Sequence, residues 1–172
     1  YDDSPPIFDD HLALDLVDPA SKDAMPQWCS PNKGQDGGPR GYAYVPFRQR
    51  YAEEGLKSAY QKGARQYVVL GAGLDSYAFR QPEQQRDLKI YEVDHPDTQH
   101  RKQQRIVELG WNIPSNLIFS PCDFENTKLR DALEAVGFDR TQPTFFSWLG
   151  VTMYLSPESV SDSFTEVAWL SA

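Results

Sequence analysis

A run of apolar residues that stops abruptly at two closely spaced glycines, Val68-Val69-Leu70-Gly71-Ala72-Gly73, leaves few folds open to this chain. Tyr67-Val68-Val69-Leu70 is continuously apolar, the pattern of a strand covered on both faces, as in a parallel sheet between helices. A Gly-x-Gly at the carboxyl end of such a strand makes a tight turn whose missing side chains let a ligand approach the backbone. Taken alone the turn is weak evidence, because similar turns also serve purely structural ends.

The surrounding pattern repeats the arrangement. Apolar segments at Leu88 to Val93, Asn116 to Phe119 and Thr144 to Leu149 predict three more strands, the last two announced by Pro114-Ser115 and by Pro143. Helical spacing falls between them. Ala52, Leu56 and Ala59 form one stripe with Gly63 as its stop, and Pro96 opens a second helix. Leu129, Leu133 and Val136 form a third stripe ending at Gly137, and Pro157 opens a fourth carrying Val160, Phe164 and Val167. Alternating strands and helices predict an α/β fold, a Rossmann-like, doubly wound and mostly parallel sheet. Such a sheet normally continues beyond a fourth strand and its helix, so it is expected to be incomplete in this chain. Residues 1–46 are read as an N-terminal segment and lid, residues 47–172 as the sheet domain. Within the former, Ile7 to Leu14 predicts a short helix, and Pro26 to Gly41, rich in Pro, Gly, Asn and Asp, predicts a loop.

Two acidic residues give the glycine turn its context. Asp94 closes the second strand about 20 residues beyond Gly73, the interval at which nucleotide-binding sheets present a carboxylate to ribose hydroxyls. A carboxylate only accepts, so it can take two hydroxyl protons at once. It can equally cap the helix opening at Pro96, and the two roles are compatible. A dinucleotide site wants a third glycine to seat the pyrophosphate, and that position is Ser76. The sequence therefore leans from NAD towards an adenosine bearing an amino acid, which has no phosphate to seat. After the third strand, Asp123-Phe124 offers an acceptor for an exocyclic amine and a ring to cover a base; singly, a strand-end Asp is more often a turn residue.

Composition narrows the partners. Against 25 acidic residues stand 17 Lys and Arg, a formal charge of -8, which argues against nucleic acid. The densest basic stretch, His100 to Arg105, reads as the wet side of a helix. Cys29 and Cys122 form neither a disulfide framework nor a metal pattern, and three isolated histidines add no metal site. No apolar run is long enough to span a bilayer, and Tyr1-Asp2-Asp3-Ser4-Pro5-Pro6 has no character of a secretory signal. These features predict reduced thiols, no membrane partner and a cytoplasmic location.

With those residues placed, the chain resembles the leucine carboxyl methyltransferase family of class I S-adenosylmethionine-dependent enzymes, including its bacterial branch of proposed O-methyltransferases. Four motifs carry the resemblance in order: Leu70-Gly71-Ala72-Gly73-Leu74-Asp75-Ser76 with Arg80, Glu92-Val93-Asp94-His95-Pro96, Cys122-Asp123-Phe124-Glu125, and Trp148-Leu149-Gly150-Val151-Thr152-Met153-Tyr154-Leu155. It is continuous from about Phe47 to Val167, and Pro6-Ile7-Phe8-Asp9-Asp10 looks like the family's N-terminal segment. The resemblance implies S-adenosyl-L-methionine as cofactor. Gly71, Ala72 and Gly73 would line its methionine and ribose part. Asp94 would hold the ribose, Asp123 and Phe124 the adenine, and Arg48 the carboxylate, for which a guanidinium fork is suited. Two departures stand out: Leu149 occupies a position where many relatives carry Glu, and Arg48-Gln49 stands where they carry Arg-Thr.

The implied reaction is transfer of a methyl group to a carboxylate or hydroxyl of a small molecule or exposed chain end. A carboxylate is already ionised at neutral pH and needs no base, whereas a hydroxyl would profit from one. His95 and Tyr154 are base candidates by position only; a helix-capping histidine and a core tyrosine are the ordinary roles, so no catalytic residue is assigned. Two alternatives remain: a degenerate homologue that binds cofactor as an interaction module, and an NAD-dependent oxidoreductase.

Overall fold

The computed structural model describes residues 6–23 and 38–171 of the chain. Four strands, β1 (Gln66–Leu70), β2 (Lys89–Asp94), β3 (Leu117–Pro121) and β4 (Thr144–Trp148), form one sheet in the order β3-β2-β1-β4. Every pairing is parallel, with Val69 facing Glu92 across one side of β1 and Ser147 across the other. The four predicted strands are these four, with ends shifted by one residue, or by two at the carboxyl end of β3, and Leu149 falls outside β4.

Period-two alternation sends side chains to opposite faces of the sheet. Val68, Leu70, Tyr91 and Val93 pack with Leu129, Leu133 and Leu170 from α6 (Leu129–Ala135) and α7 (Pro157–Leu170). Tyr67, Val69 and Ile90 pack on the other face with Leu56 of α3 (Gly38–Gln61) and with Tyr77 and Ala78 of the single-turn α4 (Tyr77–Arg80). α5 (Pro96–Glu108) joins that second face through Gln99, whose side chain donates to the Glu92 carbonyl at 2.9 Å. Helices on both faces of a parallel sheet make this the doubly wound architecture expected. Gln66, polar yet buried at the start of β1, is satisfied: its amide donates to the Asp139 carbonyl and to Thr144 Oγ1, and its Oε1 accepts from Asp139 N–H. α3 lies close over β4 at Gly55, where a Cβ would come within 3.1 Å of the Phe145 ring.

Three local expectations need correction. The short helix expected at Ile7 to Leu14 is displaced to α1 (Ala13–Leu16), followed by α2 (Pro19–Asp23). Asp10 is drawn out of any helix by tertiary partners, accepting from Ser76 Oγ at 2.6 Å and pairing with Arg80 at 3.3 Å. The loop expected at Pro26 to Gly41 ends earlier, because α3 already starts at Gly38 and continues through Pro46; residues 24–37, Cys29 among them, lie outside the described residues. The third concerns His100 to Arg105: Lys102 is fully buried, not wet.

Candidate functional site

Chain direction across the sheet reverses between β1 and β4: β2 and β3 add on one side of β1, and β4 returns to the other. Ligands of open parallel sheets bind outside the carboxyl ends of the strands at such a switch point. Gly71, Ala72 and Gly73 leave β1 there, and Gly150 and Val151 leave β4 beside them.

The glycine turn is shaped by its backbone. Gly71 and Gly73 adopt φ of +67° and +52°, a region in which L side chains are strained. Gly71 and Ala72 N–H groups both donate to the Val93 carbonyl, at 2.8 and 3.1 Å, and so stitch the turn to β2. The Asp94 carboxylate completes the seam. It accepts from Gly73 N–H at 2.5 Å and from His95 N–H at 2.6 Å, while half-buried at the end of β2. Asp94 is thus brought onto the glycine turn, with lone pairs left over for a further donor.

Arg48 reaches the same place from α3. Gly150, at φ +72°, lies directly under its guanidinium; a Cβ there would be 2.7 Å from Nη2 and 2.8 Å from Cζ. A Cβ on Gly71 would in turn overlap Val151 Cγ2 and lie 3.1 Å from Cγ1. Arg48, Gly150, Val151 and Gly71 therefore form one continuous patch. Arg48 also lies over the Tyr44 ring at 5.7 Å, and among the described residues it has no acidic partner.

Asp123 and Phe124 follow β3 and are anchored differently. Cys122 N–H donates to the Asp94 carbonyl at 2.8 Å, which sets the Asp123 backbone beside β2. The Asp123 carboxylate, however, is turned into its own loop, accepting from Glu125 N–H at 3.0 Å and from Asn126 Nδ2 at 2.8 Å. The Asn126 contact and the Glu125 N–H hold its carboxyl below the ordinary aspartate range. Phe124 rests 6.3 Å from Trp148, which meets Phe164 of α7 edge-on at 5.2 Å, so these rings lie on the α6–α7 face of the sheet near the strand ends. The Trp148 indole N–H is buried without a partner among the described residues.

The two base candidates take ordinary or peripheral roles. His95 Nδ1 accepts from Asp97 N–H at 3.3 Å and caps α5. Tyr154, for which a core position is the usual one, is instead 78% exposed on a short 3₁₀ turn. Cys122 is buried and free, its thiol pushed up to about 12 by burial, which leaves it a poor nucleophile.

Sequence reasoning missed the framework behind the turn. Asp75 is held from α3, its Oδ2 accepting from Gln49 Nε2 at 2.8 Å, while its Oδ1 accepts from Tyr77 N–H at 2.8 Å. Arg80 pairs with Glu53 at 2.5 Å, donates to Ser76 Oγ at 2.7 Å, and covers the Phe8 ring at 4.8 Å. These contacts bind the N-terminal segment, α3 and the glycine turn into one unit. Gln49, Arg80 and Asp10 stood inside recognised motifs, but their partners lie far away along the chain. Among the described residues no acidic, His or Cys group is arranged to hold a metal ion, and no helix is long and apolar enough to cross a membrane.

Comparison with known proteins adds an independent finding. The sequence model for "Leucine carboxyl methyltransferase" matches residues 1–168. A protein of Bacillus subtilis (strain 168) is 36% identical over 96% of this chain and 62% of its own length. One of Parafrankia sp. (strain EAN1pec) is 34% identical over 96% of the chain and 53% of its own length. One of Mycobacterium marinum is 36% identical over 74% of the chain and 42% of its own length. All three carry the provisional name of an S-adenosyl-L-methionine-dependent methyltransferase. The chain spans between 42% and 62% of these relatives.

Proposed function

The chain belongs to the leucine carboxyl methyltransferase family, and on that footing we propose that it binds S-adenosyl-L-methionine at the β1–β4 switch point and donates its methyl group to an oxygen acceptor. The acceptor class is a carboxylate or hydroxyl of a small molecule or exposed chain end. The observation that carries this is the patch Arg48–Gly150–Val151–Gly71: a guanidinium with no acidic partner among the described residues lies against Gly150, beside the bare turn at Gly71. A cofactor bearing a free carboxylate fits that guanidinium, and an adenosine fits the bare turn with Asp94 behind it. Nothing in the turn is built for a pyrophosphate, which sets the NAD reading behind this one.

When bound, the cofactor supplies an electrophilic methyl group on a sulfonium. The chain's own residues would do the rest by positioning. Arg48 would fix the amino-acid end of the cofactor, and Gly71 to Gly73 would admit the ligand against the main chain. Asp94 would orient the ribose while keeping Gly73 N–H in place. Asp123 and Phe124 would serve the adenine side; for Asp123 that requires one of its oxygens to accept a ligand proton beside the two donors it already holds. The segment 1–46 is proposed as the lid that shapes the acceptor end and excludes water. Alignment of an acceptor oxygen with the methyl carbon then does the chemistry, with no base assigned among the described residues.

Incubation with methyl-labelled S-adenosyl-L-methionine and panels of small carboxylates and phenols tests the proposal. A labelled product that releases its methyl in mild alkali is an ester and identifies a carboxylate acceptor; an alkali-stable product identifies a hydroxyl. Cofactor binding with no transfer to either panel would favour the interaction-module reading.

A further inference from the structure

Behind the glycine turn, one fully buried ion pair touches the main chain of the loop itself. Lys102 of α5 and Glu92 of β2 have side chains only 1% and 2% exposed, with Nζ to Oε2 at 2.5 Å. The same Nζ donates to the backbone carbonyl of Asp75 at 2.5 Å. Glu92 Oε1 is buried with no partner among the described residues. Such a pair is an expensive way to stabilise a core, since desolvation of both charges offsets most of their attraction. Burial drives the Glu92 carboxyl upward, and Lys102 opposes it.

We propose that Lys102 and Glu92 form a positioning pair for the cofactor loop: Glu92 fixes the ammonium, and the ammonium draws the Asp75 carbonyl into the interior. The inference rests on the proposed cofactor reading only for what the loop binds. Its geometry is independent of that. β2 then grips the turn at three successive points. Val93 accepts from Gly71 and Ala72, Asp94 accepts from Gly73, and Glu92 acts through Lys102 on Asp75. Gln49 holds the Asp75 carboxylate from α3, so residue 75 is clamped by main chain and side chain from two helices. A turn held in this way presents a fixed bare surface, and little ordering remains to be done on binding. An apolar pair of similar volume would fill the same space but could not hold the carbonyl.

That difference is the test. Lys102→Met alone leaves the Glu92 carboxylate buried and unpaired, and the melting temperature should fall sharply. The double variant Glu92→Leu/Lys102→Met removes both charges and should recover most of the lost melting temperature. If the pair positions the loop, the double variant still shows faster amide exchange at Gly73 and Asp75, roughly tenfold or more, and a roughly tenfold weaker Kd for S-adenosyl-L-methionine. Recovery of the melting temperature together with unchanged exchange and unchanged Kd would overturn the inference and leave the pair a packing element. If the parent chain binds no S-adenosyl-L-methionine, the cofactor reading fails and the exchange arm alone decides. Should the double variant not fold, native-state exchange on the unaltered chain decides instead. Gly73 and Asp75 opening together with the β2 and α5 amides supports the clamp; their opening separately at lower free energy contradicts it.

Discussion

Gly71 and Gly73 share a positive φ, yet the two positions ask different things of a side chain. At Gly73 a Cβ would meet nothing within 4 Å, so Gly73→Ala adds backbone strain only, about 1–2 kcal/mol. At Gly71 the same strain is joined by overlap with Val151, so Gly71→Ala is expected to cost clearly more; denaturant titration of both variants checks the order. Arg48 makes the converse prediction. With no acidic partner among the described residues, it contributes little to folding and much to a bound carboxylate. Arg48→Met should leave the melting temperature within a few degrees and weaken S-adenosyl-L-methionine binding roughly ten- to a hundredfold, read by calorimetry. The placement of the glycines and Asp94 at the strand ends was legible in the sequence because it follows from the local strand-end pattern alone. Lys102 was not. The buried stripe of α5 is Gln99, Lys102 and Ile106, two of them polar, so its periodicity looked like a solvated face. Only the pairing of Lys102 with a strand residue explains its burial.

Elements announced by punctuation were read most accurately. Pro96 and Pro157 stand at the first positions of α5 and α7, where a missing N–H costs nothing, and Ser156 caps α7 by accepting from Ser159 N–H at 3.2 Å. The N-terminal elements were misread because their order comes from distant partners such as Ser76 and Arg80 for Asp10, which no local pattern encodes. α6 and α7 are joined by Glu166, which accepts from the Arg130 side chain at 2.8 Å and from Arg130 N–H at 3.1 Å. The Arg130 side chain holds the Glu166 carboxyl below its ordinary value of 4.5. The stability it confers is therefore complete above that value and disappears as pH falls through the depressed one. Glu166→Gln should cost about 1 kcal/mol at pH 7, and the difference from the parent should shrink steadily as the pH is lowered from 4.5 towards 2, as denaturant titrations across that range would show.

At the scale of the whole molecule, the order β3-β2-β1-β4 sets where a ligand can go. Parallel strands ending on one edge bring residues 48, 71–73, 94 and 150 together although more than a hundred positions separate the first from the last. The sequence order of strands and helices made the sheet foreseeable. The role of Gly150 was not, because its neighbour there is a guanidinium arriving from α3, and its φ of +72° has no local signal beyond the glycine itself. Calorimetric titration of this chain with S-adenosyl-L-methionine, and with NAD as the competing nucleotide, probes these strand ends directly. Saturable one-site binding of the former, no heat from the latter, and a Kd at least roughly tenfold weaker in folded Asp94→Ala are the expected results. No binding of S-adenosyl-L-methionine, or binding as tight in Asp94→Ala as in the parent, would contradict the assignment of this edge as a cofactor site.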